Sequence, residues 1–152
     1  MTAANPGKIS VVKTLTLAGK GVMTLNVRMT NQSDRELACS WYMHPEYTVG
    51  GEAVSHSDLL TLPIDGKEID IPYWTGLGDR ATPEFSAGYW LLTSPSKRYR
   101  IRQDFSPEKF RKPRLWFGIG CCNFEMESGK DLKLQPGQSW DGELKWTFSP
   151  IQ

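Results

Sequence analysis

The chain has 152 residues, enough for a single domain with a sizeable core, and a single domain over 1–152 is expected. Eighteen Lys and Arg against 17 Asp and Glu leave a formal net charge of +1, so no long-range attraction to nucleic acid or an anionic membrane is expected. No apolar run approaches the length of a membrane span. The start Met1-Thr-Ala-Ala-Asn-Pro-Gly-Lys8 lacks the basic and apolar regions of a secretion signal, and with Met1 as the native start the location is cytoplasmic.

The pattern along the chain is all-β. Ile9 to Leu17 alternates apart from Lys13, and Met23, Leu25, Val27 and Met29 alternate with Thr24, Asn26, Arg28 and Thr30. Between them Ala18-Gly-Lys-Gly21 is a compact turn, so the two segments predict an antiparallel hairpin. Asn31-Gln-Ser-Asp34 is the next turn, leading into Leu37-Ala-Cys-Ser-Trp-Tyr-Met-His-Pro-Glu-Tyr47. Odd positions there (Leu37, Cys39, Trp41, Met43) are apolar and even ones small or polar, the period of a half-buried strand. The first third therefore reads as a three-stranded meander. Pro45 offers no N–H to a ladder, so the strand stops there and leaves His44 and Glu46 at its rim.

From 48 to 84 the chain carries Gly50-Gly51, Pro63, Gly66, Pro72, Gly76, Gly78 and Pro83, which reads as a long Gly/Pro-rich loop region holding short strands near 59–62 and 67–71. Loops of this length in compact domains are functional or disordered; Tyr73 and Trp74 favour an ordered rim loop. Strands follow at 85–93 and 98–105. Ser106-Pro107 can start one helical turn. Residues 114–122 read as a buried strand with Leu115, Phe117 and Ile119 on one face. The last strand places Trp140, Leu144, Trp146 and Phe148 inward and Asp141, Glu143, Lys145 and Thr147 outward. Long, unequal strands of this kind predict an antiparallel β-sandwich.

Cys39, Cys121 and Cys122 make no disulfide framework, and with only His44 and His56 the chain offers no zinc spacing. No phosphate loop, nucleophile elbow or dinucleotide fingerprint is present, so no metal and no cofactor are expected.

Three stretches carry a resemblance. They are Val27-Arg-Met-Thr-Asn-Gln-Ser-Asp34, Ser40-Trp-Tyr-Met-His-Pro-Glu-Tyr47, and Leu132-Lys-Leu-Gln-Pro-Gly-Gln-Ser-Trp140 before a Trp/Phe strand. Together they resemble the galactose mutarotase-like β-sandwich, the superfamily of aldose 1-epimerases and of non-catalytic domains in glycoside hydrolases. The resemblance spans nearly the whole chain and matches the later half of such a domain.

Mutarotation needs a general acid at the ring oxygen and a general base at the anomeric hydroxyl. By resemblance, His44 is the acid or a sugar-binding group, and the base is a glutamate on a late strand. Glu125 is the candidate, with Glu127 on the same strand face. Flat indoles stack on sugar faces. Trp41, Trp140 and Trp146 fall on inward parities and read as core, which leaves Trp74, Trp90 and Trp116, with Glu46, as the substrate-binding candidates. The resemblance also implies a second histidine on an earlier strand, and His56, in a loop, does not supply it. The reading that follows is a non-catalytic carbohydrate-binding domain. The alternatives are a sugar 1-epimerase using His44 and Glu125, and a structural or protein-interaction sandwich in which His44 caps a strand end and the two glutamates are solvated or paired with Arg100, Arg102 or Arg114. A carbohydrate ligand is the expected partner. Self-association through uncovered apolar strands is also expected, giving a homo-oligomer.

Overall fold

The computed structural model describes residues 2–4, 8–49, 51–55, 57–72, 78–80, 84–110, 114–117, 121–128 and 132–151. These form strands β1 (Thr2–Ala4), β2 (Ile9–Ala18), β3 (Val22–Asn31), β4 (Leu37–Cys39), β5 (Tyr42–Met43), β6 (Glu46–Tyr47), β7 (Leu59–Ile64), β8 (Lys67–Pro72), β9 (Gly78–Arg80), β10 (Tyr89–Ser94), β11 (Tyr99–Phe105), β12 (Arg114–Phe117), β13 (Cys122–Glu127), β14 (Leu132–Leu134) and β15 (Ser139–Pro150). One sheet runs β1-β2-β3-β15-β11-β10-β7-β8. A smaller sheet runs β5-β13-β12-β9, with β6 also on β13, and β14 pairs with β4. All these pairings are antiparallel, so the fold is the expected all-β antiparallel sandwich.

The expected β2–β3 hairpin forms, with Ala18 opposite Val22. Lys20 (φ 67°) and Gly21 (φ 72°) take the left-handed conformations of its turn. The meander expected over the first third does not form. Beside β3 lies β15, paired from Thr30–Ser139 to Val22–Thr147, while the segment from Leu37 to Tyr47 crosses to other partners. It is divided into β4, β5 and β6, the first on β14 and the other two on β13. The break at Trp41 has a visible cause: Trp41 N donates to Ser128 Oγ at 2.7 Å and Ser128 N donates to Trp41 O at 2.9 Å, away from any ladder.

Within 48–84, the described residues hold regular strands. Both short strands are present and longer than expected, as β7 and β8, joined by Asp65 (φ 50°) and Gly66 (φ 73°). Two consecutive positive φ values make a two-residue primed turn, whose twist matches the strands it joins. Downstream, Phe110 N donates to Ser106 O at 3.0 Å, closing the single helical turn expected after Ser106. The strand expected over 114–122 is a hairpin arm: β12 ends at Phe117, and Cys122 lies back opposite it as the start of β13.

The core lies between the sheets. Trp90 stacks on Phe124 (4.9 Å, 22°) and meets Tyr47 edge-on at 4.8 Å; Trp41 stacks on Trp140 and both meet Phe110. A buried polar chain crosses this interior. Trp146 Nε1 donates to the Tyr47 hydroxyl (3.0 Å), which donates to Gln103 Oε1 (3.4 Å), and Trp90 Nε1 donates to the same oxygen (2.5 Å). Burial keeps the Tyr47 phenol far above the ordinary tyrosine range, against the smaller opposing effect of the hydrogen bond from Trp146.

Candidate functional site

The site follows from the register of β13. On its first side Met126 pairs with Met43 and Asn123 with Glu46. Two residues separate each pair on both strands, so the count is kept and His44 falls opposite Glu125, with Pro45 opposite Phe124. Pro45 brings no N–H, so the ladder lapses at that rung while the cross-strand side chains still meet. On the other side Arg114 pairs with Glu125 and Trp116 with Asn123. Alternation sends Cys122, Phe124 and Met126, all fully buried, into the core. Asn123, Glu125 and Glu127 therefore take the outer face. Two cross-strand rows result: His44–Glu125–Arg114, and Glu46–Asn123–Trp116.

In the first row His44 Nδ1 stands 2.7 Å from Glu125 Oε1, the imidazole half-exposed and the carboxylate 7% exposed. The Tyr42 hydroxyl is 3.0 Å from the same nitrogen. With Glu125 ionised, the proton sits on Nδ1 and is donated to the carboxylate, which makes Nε2 the basic nitrogen of the neutral ring. The arrangement can hold one proton on a defined atom and orient a ring beside a desolvated carboxylate. Trp116 lies half-buried, its ring centroid 6.4 Å from that of His44.

The second row holds a group that the sequence reading missed. Asn123 is fully buried, and among the described residues neither its Oδ1 nor its Nδ2 has a partner. An orphaned buried polar group costs about 1–3 kcal/mol, and native folds keep few of them. The signal was an amide between Cys122 and Phe124 on the parity of Glu125. Glu46 is exposed, and its charge, second to burial, raises the Cys121 thiol above its ordinary range.

The candidates divide accordingly. His44 and Glu125 are brought together, with Trp116 on the same face and Glu46 two rungs away. Glu125 takes His44 as its ion-pair partner. Trp90 is no platform: it is 0% exposed, packed between Tyr47 and Phe124 with its N–H spent on Gln103. Its strand Tyr-Trp-Leu-Leu-Thr-Ser is covered on both faces along Trp90–Leu92, so parity within it could not assign a side. Trp41, Trp140 and Trp146 are core, as their parity indicates. Trp74 and His56 lie outside the described residues. No disulfide joins the three cysteines, and burial pushes Cys122 up to about 12. Among the described residues no cluster of His, Cys, Asp or Glu is placed to hold a metal, and no helix is long and apolar enough to cross a membrane.

No protein-family model matches the chain, and no curated protein matches it. Solved structures do. The Slr1438 protein from Synechocystis sp. PCC 6803 superposes with a TM-score of 0.77 at 17% identity, over 99% of this chain and 60% of that one. A galactose mutarotase-like protein from Lactobacillus casei gives 0.72 at 17% identity, over 98% and 68%; another from Clostridium acetobutylicum gives 0.71 at 15%, over 99% and 61%. The chain thus spans about 60% of the length of the Synechocystis protein. At such identities the likeness speaks for architecture alone. The chain has the galactose mutarotase-like β-sandwich fold.

Proposed function

We propose that the chain is a carbohydrate-binding domain whose sugar site is the outer face of β13 and its neighbours. One observation carries this reading: a buried carboxylate, Glu125, with an imidazole at 2.7 Å, on a strand face whose parity also carries a half-buried indole and a buried amide without a partner among the described residues. Sugars are recognised by such sets, polar groups for the hydroxyls and a flat ring for the C–H face. Tryptophan fluorescence titrated with a panel of aldoses tests it. A saturable shift lost in His44→Ala supports the site, and a flat response across the panel refutes it.

A second reading, a sugar 1-epimerase, is favoured by the same 2.7 Å approach. The ring oxygen and the anomeric hydroxyl sit on one carbon, so acid and base must converge on one place. In this reading His44, in its protonated form, delivers its Nε2 proton to the ring oxygen, and Glu125 takes a second proton from the anomeric hydroxyl. Accelerated relaxation of optical rotation in a freshly dissolved α-aldose, abolished by Glu125→Gln, distinguishes catalysis from binding.

Self-association belongs to the proposal. β1 covers β2 only at Ser10–Val12, and among the described residues the edge beyond it is open. Leu15 (59% exposed) and Leu17 (76%) lie on the core-facing parity yet are uncovered. Two copies meeting antiparallel at this edge would satisfy both backbones around a two-fold axis.

A further inference from the structure

The Glu46–Asn123–Trp116 row holds an amide with no hydrogen-bond partner among the described residues. On the same strand and face Glu125 is engaged by His44; past the strand end and on the opposite parity, Ser128 is engaged by the backbone of Trp41. Asn123 alone among the described residues has both side-chain heteroatoms buried and unpartnered. An amide can donate from nitrogen and accept at oxygen, so one ligand satisfies both atoms only by presenting a donor and an acceptor side by side. A carboxylate or a cation satisfies one of the two. An apolar group satisfies neither.

We propose that Asn123 is the specificity-determining residue of the sugar site and that its amide takes a vicinal diol of the aldose. One hydroxyl donates to Oδ1 and its neighbour accepts from Nδ2. The inference rests on the sugar-site reading above and adds the class of hydroxyl pattern that the site selects. The spacing suits it. Asn123 and Glu125 project from the same face about 7 Å apart along β13, the scale of a pyranose ring. Trp116 stands opposite Asn123 in register with its indole 6.4 Å from the His44 ring. A sugar with its diol on Asn123 then directs its far end toward the His44–Glu125 pair and lays its C–H face along Trp116. Sugars lacking one hydroxyl of the pair are rejected, because they leave the amide orphaned again.

The test pairs a variant with a ligand series. Asn123→Leu keeps the volume and removes both polar atoms. It is expected to melt above the wild-type protein without sugar and to bind the preferred aldose ten- to a hundredfold more weakly by calorimetry. The wild-type preference for that aldose over its monodeoxy analogues should vanish in the variant. Equal affinity of the two proteins overturns the role of Asn123 and leaves the sugar site standing. So does a variant that melts below wild type, since the amide was then satisfied. Should Asn123→Leu not fold, the wild-type series decides: one deoxy position losing tenfold or more supports the proposal, and uniform binding of all deoxy analogues overturns it. Absence of binding of any aldose to the wild-type protein overturns both readings together.

Discussion

Replacing His44 by alanine strips a nearly buried carboxylate of the partner it holds at 2.7 Å, and the cost follows from the two exposures. Glu125 is 7% exposed and His44 47%. A hydrogen bond to a charged group contributes about 1.5–3 kcal/mol. Water reaches the imidazole side and screens the pair, which brings the expectation down to about 1–2 kcal/mol. At this chain length each kcal/mol moves the melting temperature about 2–4 °C, so His44→Ala should melt about 2–8 °C lower. Glu125→Gln removes the charge but keeps an oxygen that Nδ1–H can still reach, and should cost about half as much. In the Glu125→Gln background, His44→Ala should then lose little more, giving a coupling of about 1 kcal/mol in a double-mutant cycle read by urea unfolding. Additivity within about 0.3–0.5 kcal/mol would mean that the two side chains do not interact, and the reasoning would be refuted.

Tyr47→Phe removes the hydroxyl that receives the Trp146 N–H, leaving a buried donor unpaired; urea unfolding should show a loss of about 1–2 kcal/mol. Cys122 is neutral in the fold up to about 12, against 9.0 for the free thiol. A raised folded value means its contribution is full below 9.0 and is lost as pH rises toward 12, at about 1.4 kcal/mol per pH unit. Cys122→Ala should flatten that part of the pH–stability curve relative to wild type. A methyl added at Gly142 meets Trp140 and Phe110, so Gly142→Ala should lower stability by about 1–3 kcal/mol through overpacking, measured by thermal unfolding. Leu17→Lys should convert any dimer to monomer in light scattering at high concentration; a wild-type protein monomeric under the same conditions counts against the β2 edge contact.

Local pattern revealed faces better than partners. From Leu37 to Tyr47 the in–out alternation persists through the break at Trp41, with Trp41 and Tyr47 buried and Tyr42, His44 and Glu46 exposed. That made His44 legible as a rim residue. The pairing of the segment was not legible, because adjacency in the sheets joins β3 to β15 and β4 to β14 across roughly a hundred residues, and no local period encodes that choice. The hairpin at Asp65-Gly66 had a readable turn dipeptide, obscured by the density of glycine and proline around it. Trp90 failed for the opposite reason, a strand covered on both faces. Glu125 could be placed on a face but not beside His44, since their meeting depends on a proline leaving the register intact across a ladder it interrupts.

The Trp146–Tyr47–Gln103–Trp90 chain has a mechanical consequence. Apolar sheet faces attract without direction, so two greasy layers can slide over one another at little cost. Directional bonds remove that freedom. Tyr47 belongs to the smaller sheet and the other three side chains to the larger one, so the chain acts as a key in a slot and admits one relative setting. Tyr47 lies three residues beyond His44, so the setting of the larger sheet is handed on to the strand that ends at the imidazole. The aim of His44 is thereby fixed from the opposite side of the molecule.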